Sequence, residues 1–177
     1  MIAILTACKK QEAAPEPQAK PTAQKVETAR PTGFDAEREL TLKLGGRDCD
    51  VHIVCEPDNE RPTVKDETGE YLEQKAQLEI TCGDETIVNR TFTKDDFERY
   101  LSKDEAARLV IQGMLIDPSK TSTASTIYLA AQLCSPSDEE DCRPFSITYN
   151  VGNDTFSMKQ EPLRIIDPDE EAEEEGV

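Results

Sequence analysis

The sequence predicts a mainly β domain, an antiparallel β-sandwich-like fold of about eight strands with a short helical insertion; an α+β sheet is the alternative. Three observations carry that expectation. Apolar and polar residues alternate with period two over several short runs, the pattern of strands with one buried face. Turns built on glycine, asparagine and aspartate separate the runs at short intervals. Only one stretch, over residues 93–109, carries helix-start chemistry instead.

In chain order, Leu40, Leu42 and Leu44 alternate with Glu39, Thr41 and Lys43. Gly45-Gly46 then supplies the positive φ angles that a tight hairpin turn requires. In the next run Cys49, Val51, Ile53 and Cys55 share one face, while Asp50 and His52 take the other. Residues 56–69 read as a long polar loop with turns at Pro57-Asp58-Asn59 and Thr68-Gly69. Strands are expected over 71–81 and 86–92, joined at Gly83-Asp84. Thr93 with Asp96, and Ser102 with Glu105, each have the form of a helix cap, which predicts two brief helices over 94–101 and 103–109. Three strands follow at 110–116, 126–134 and 144–151, and Gly152-Asn153-Asp154 turns the chain into a last one at 155–159. The strands at 110–116 and 126–134 are apolar on both faces, so they are expected to be central and doubly covered. The globular domain is expected over residues 33–167.

Ahead of it, Leu5-Thr6-Ala7-Cys8 resembles the lipobox of bacterial lipoproteins. That resemblance implies that residues 1–8 hold the end of a lipoprotein signal and that Cys8 becomes a lipidated N-terminus. The residue types suit the chemistry: small side chains admit a peptidase, and the thiol takes the lipid. Two or more acyl chains give stable anchoring where one is marginal. A secretory signal needs a basic segment and roughly 7 to 15 apolar residues. Met1–Ala7 is shorter, so this reading expects coding sequence upstream of Met1.

Residues 9–32 hold four prolines among mostly Ala, Gln, Glu, Lys and Thr. Such a composition cannot bury enough apolar surface to offset its ordering entropy, and a disordered tether spanning about 25 to 30 Å is expected. Residues 168–177 form an acidic tail, also expected to be disordered. No apolar run reaches about 18 residues, the length of a membrane-spanning helix. The expected membrane contact is therefore the lipid on Cys8.

The formal net charge of −17 disfavours nucleic acid as a partner, because affinity for phosphates comes mainly from Lys and Arg. An acidic surface serves solubility or steers a basic partner.

Six cysteines are present. With Cys8 given to lipid, five remain, enough in an oxidising envelope for two bridges and one thiol. Cys134 and Cys142 flank the polar loop Ser135–Asp141 and are the first expected pair. Cys49 and Cys55 lie about 20 Å apart along one strand, beyond the ~4.4 to 6.8 Å a disulfide allows between Cα atoms. If 49–55 and 76–82 pair antiparallel, Cys49 faces Cys82 when Cys55 faces Ala76. Cys49 with Cys82 is thus the second expected bridge, with Cys55–Cys82 as the alternative. A zinc site is not expected: no C-x-x-C occurs, and the sole histidine lies on the opposite strand face from Cys49 and Cys55.

No catalytic residue, metal or cofactor is expected. His52, the only imidazole, shares a solvent face with Asp50. Asp95-Asp96 has an account as an acidic first helical turn, the acids of 138–141 lack calcium-loop spacing, and no Gly-rich phosphate loop occurs.

The run from Gly83 to Phe97, together with Ile111-Gln112-Gly113-Met114 and Ile127-Tyr128-Leu129-Ala130-Ala131, resembles a family of small bacterial lipoproteins of unknown function common among Bacteroidetes. The similarity covers roughly residues 71–151, and its motifs are a hairpin, a helix cap and a core strand. It implies a lipoprotein and no particular activity. Lys9 rather than Asp after Cys8 suits sorting to a bacterial outer membrane, on its periplasmic or surface side. The expected function is a membrane-anchored, non-enzymatic binding or interaction module for a protein or envelope ligand. The alternative is a periplasmic inhibitor or immunity protein against a basic hydrolase or toxin. A carboxylate-based enzyme acting on glycans is the least favoured.

Overall fold

Two glycines set the first register. Gly45 (φ 56°) and Gly46 (φ 85°) form a two-residue turn, and a Cβ on Gly45 would come within 2.9 Å of the Ala124 Cβ. The turn joins strands β1 (Ala36–Leu44) and β2 (Arg47–Asp58), paired from Leu44↔Arg47 back to Ala36↔Cys55. The computed structural model describes residues 29–162. Cys8, the tether up to residue 28 and the acidic tail lie outside the described residues.

The remaining strands are β3 (Val64–Asp66), β4 (Gly69–Tyr71), β5 (Glu73–Cys82), β6 (Glu85–Phe92), β7 (Val110–Ile116), β8 (Thr126–Ser135), β9 (Asp138–Asn150) and β10 (Thr155–Gln160); helix α1 (Lys103–Arg108) precedes β7. Two four-stranded sheets result, β1-β2-β5-β6 and β10-β9-β8-β7, with β3-β4 as a separate hairpin. All strand pairs are antiparallel. The inner faces meet in one core, where Val51, Ile53, Leu78 and Ile80 of the first sheet share a cluster with Ile111, Leu129, Leu133 and Ile147 of the second. The fold is thus the expected mainly β sandwich, built from ten strands rather than eight.

Of the two additional strands, β3 lies inside the expected loop 56–69 and β4 starts at its last residue. Val64 and Tyr71 are buried and cover Val110, forming a second small core. Asp66 closes the turn, its carboxylate accepting from the Thr68 and Gly69 N–H groups at 2.7 and 3.1 Å. The same hairpin holds the start of the described chain. Arg30 N–H donates to Glu70 O, Leu72 N–H donates to Arg30 O, both at 2.9 Å, and the Arg30 guanidinium lies 4.8 Å over the Tyr71 ring.

Three further expectations need correction. First, β7 is an edge strand. Its two apolar faces serve two cores, Ile111 and Met114 facing the sandwich and Val110 facing the hairpin. Second, residues 138–141 belong to β9, and only Pro136 and Ser137 turn between Ser135 and Asp138. Third, residues 94–101 form two 3-10 turns, Lys94–Asp96 and Glu98–Tyr100, rather than an α-helix. Lys94, Phe97 and Tyr100 are spaced by three, and three residues per turn align them on one side. Phe97 there is fully buried and packs edge-on against Phe145, ring centroids 5.0 Å apart.

The second cap forms as expected: Glu105 N–H donates to Ser102 Oγ at 3.3 Å, and Ser102 N–H donates to the Glu105 carboxylate at 2.8 Å. These bonds from Ser102, with the Arg143 guanidinium beside them, hold the Glu105 carboxyl down to about 2 from its ordinary 4.5. A carboxyl depressed in the folded state adds stability that is complete above its unfolded pKa and lost as pH falls through the folded one. Wild type is therefore expected to exceed Glu105→Gln in urea midpoint at about pH 6, with the gap closing between about pH 4.5 and 2. A pH-independent gap would contradict this.

Candidate functional site

Side chains on a strand alternate between faces, so the outer face of the first sheet is read row by row from its register. One row runs Glu39, His52, Glu79 across β1, β2 and β5, and the row beside it begins with Glu37. His52 Nε2 lies 2.7 Å from Glu37 Oε1. One donor atom each from Glu37, Glu39 and His52 lie within 4.8 Å of one another. Glu39 and His52 line a shallow groove of about 410 Å³ that also takes in Asp50, Thr41 and Glu79. His52 and Asp50 share a solvent face as expected. Glu37 and Glu39 were missed by sequence reasoning, although the Gly45-Gly46 turn and the β1–β2 register that follows from it place Glu39 opposite His52.

Charge balance differs along this face. Asp48 pairs with Lys43 and Glu56 with Lys75. Among the described residues, Glu37 has only the imidazole of His52 as an ion-pair partner, and Glu39 and Glu79 have none. Among the described residues no hydroxyl or thiol is hydrogen-bonded to His52, and a nucleophile–base pair is accordingly not assembled there.

The second sheet carries a trough of about 790 Å³ on its outer face. Gly113, Ala130 and Ser146 line it, with Arg38, Lys120 and Glu161 among the charged residues around them. Gly113 follows an irregularity in the β7–β8 ladder, and Ser146 Oγ donates to Glu161 at 2.7 Å. Lys120 is tied to Asp117 at 3.2 Å.

A third polar group is buried. Lys94 Nζ meets the Glu73 carboxylate, and their side chains are 7% and 4% exposed. Burial pushes the Glu73 carboxyl up, with Lys94 and Arg61 opposing the shift. Among the described residues, Glu73 Oε2, Gln74 Oε1 and Arg61 Nε have no hydrogen-bond partner. Neither Glu73 nor Lys94 lines a groove described above, so the pair is a feature of the fold rather than of a site.

The four expected disulfide cysteines come together as two bridges. Cys49 bonds Cys82 and Cys134 bonds Cys142, each pair with Cα atoms 4.1 Å apart. The β2–β5 register pairs Cys55 with Ala76, and the Cys49–Cys82 bridge continues it. The alternative Cys55–Cys82 bridge is excluded, because Cys55 keeps a buried free thiol. Burial raises the Cys55 thiol pKa, the opposite of an activated nucleophile.

The profile of a family described as Domain of unknown function (DUF4738) matches residues 15–157. Comparison with curated proteins returns no match.

Proposed function

The chain belongs to the family described as Domain of unknown function (DUF4738), and from that premise we propose that it is a lipid-anchored, non-enzymatic binding module of a bacterial envelope. The observation that carries the proposal is the pair of disulfides, Cys49–Cys82 and Cys134–Cys142, in a chain that also carries Leu5-Thr6-Ala7-Cys8. Disulfides persist in oxidising compartments such as the periplasm or a cell surface. Cys8 would hold the lipid, and the resemblance to Bacteroidetes lipoproteins and Lys9 after Cys8 support the outer membrane as the address. The trough over Gly113, Ala130 and Ser146 is the surface on which a protein or envelope ligand would rest.

Growth of the native host on labelled palmitate tests the anchor. Label in the membrane fraction, lost with Cys8→Ser, is the expected result; unlabelled wild type in the soluble fraction overturns it. Capture from envelope extract with the full chain tests the surface. A partner held by wild type and lost with Ala130→Trp, which fills the trough, supports it, and equal capture by both counts against it.

A second reading is favoured by one observation, the acids Glu39 and Glu79, unpaired among the described residues, in a chain of net charge −17. An inhibitor or immunity protein for a basic hydrolase or toxin would use such a face for steering. Inhibition that weakens steeply with salt would select it.

A further inference from the structure

Two carboxylates and an imidazole converge on the exposed β1–β2 ladder, and the convergence follows from register rather than from a chance of rotamers. Glu39 stands directly opposite His52, and Glu37 lies diagonally one pleat along on the same face. Cross-strand neighbours on one face lie about 4.5 to 5.5 Å apart at Cβ, and diagonal ones about 7 to 8 Å. Side chains as long as Glu and His bridge both gaps, as the 2.7 Å contact of His52 Nε2 with Glu37 shows.

From this geometry we propose that Glu37, Glu39 and His52 form a three-donor site for a divalent transition metal, zinc foremost. Two independent features point to a cation of that class. The first is uncompensated charge. Glu39 and Glu79 flank His52 on its two sides without a lysine or arginine partner among the described residues, on a face where Asp48 and Glu56 each have one. Glu37 and Glu39 lie two residues apart on one face of one strand, where like charges repel, and a bound cation reverses that cost.

The second feature is the imidazole. Calcium and magnesium take oxygen ligands, whereas one imidazole nitrogen with carboxylate oxygens suits zinc, copper or nickel. Around tetrahedral zinc, with ligand bonds of about 2.0 to 2.2 Å, neighbouring donors stand about 3.3 Å apart. The donor atoms here already lie within 4.8 Å of one another. The Glu37 side chain is 66% exposed, so a rotamer change, without backbone movement, completes the closure.

An imidazole nitrogen binds a metal only when it carries no proton. Acid therefore competes with the metal. Three protein donors leave a fourth position for water or Glu79. The metal would also clip edge strand β1 to β2, so that occupancy stabilises the fold by mass action.

Zinc titration of the full chain with its thiols alkylated, followed by calorimetry and by the His52 ring resonances, tests the proposal. One zinc per chain with micromolar affinity, and a His52 ring shift on binding, are expected. His52→Ala and the double change Glu37→Gln/Glu39→Gln should each weaken binding by at least about 10-fold, the lower bound for losing even an outer-sphere partner. Asp48→Asn, on the same face, should leave affinity unchanged. These are exposed positions, where substitutions seldom disturb folding. Zinc binding indifferent to His52→Ala, or zinc displaced by equimolar magnesium, overturns the site and leaves only a diffuse acidic attraction.

Discussion

Replacing Lys94 with alanine is expected to cost about 3 to 5 kcal/mol of folding stability, the range for breaking a buried ion pair by removing one partner. The size follows from burial: the Lys94 and Glu73 side chains are 7% and 4% exposed, so water cannot replace the lost cation. Glu73 already has one oxygen without a partner, and burial already raises its pKa. In the variant the carboxyl is pushed further up. A carboxyl raised in the folded state favours folding at low pH, and that advantage is lost as pH rises through the folded value. The variant should therefore recover part of its deficit on acidification. Changing both partners, Glu73→Leu with Lys94→Met, is expected to restore stability to near wild type, because the desolvation of two charges disappears with them. Urea unfolding of the three proteins measures this. A loss under about 1 kcal/mol for Lys94→Ala, the scale of an exposed pair, would show that solvent reaches Glu73.

The second large effect is covalent. Cys49–Cys82 closes a separation of 33 residues and Cys134–Cys142 one of 8. Restricting the unfolded chain by loops of those lengths corresponds to about 3.7 and about 2.5 kcal/mol. The double change Cys49→Ala/Cys82→Ala is thus expected to lower stability by more than Cys134→Ala/Cys142→Ala, with both variants still folded at room temperature in the absence of urea. Equilibrium urea curves decide the order, and the reverse order would place the stabilisation in native packing instead of loop length. Both bridges lie within a sheet, across strands that already pair. Neither joins one sheet to the other; the sheets are held together by the shared apolar core and by Arg90 of β6 lying 4.5 Å over the Phe156 ring of β10.

Much of this fold was legible where one strand face is apolar and the other polar. Leu40, Leu42 and Leu44 before a diglycine turn fix both a hairpin and its register. The same reasoning across β2 and β5 pairs Cys49 with Cys82, since Cys55 must then meet Ala76. Legibility fails where burial depends on a distant partner. Val64 is one apolar residue in a polar stretch, and only Tyr71 and Val110 give it a core. Lys94 sits beside two aspartates and reads as a solvated helix start, yet the fold buries it against Glu73. The 3-10 turns answer to Phe97 and Tyr100 meeting Phe145, contacts over 40 residues away in sequence that no local pattern encodes. The site lies between these cases. Glu39 falls opposite His52 by arithmetic from the diglycine turn, but Glu37 belongs to a charged stretch without period-two apolar residues, so the strand there has no local signal.

The clasp at Arg30 gives the domain a directional response to load. A pull along the chain from its N-terminal side is borne first by the two backbone bonds that Arg30 exchanges with Glu70 and Leu72. Next comes β1, which has β2 as its sole neighbour in the sheet. Unravelling then reaches Cys49 and stops, because the bond to Cys82 carries the tension into β5, past the hairpin. The slack released before that stop, from Arg30 to Cys49, is roughly 60 Å at full extension. The domain thus behaves as a limited-travel shock absorber: its first edge gives way, and the remaining strands stay folded behind a covalent stop.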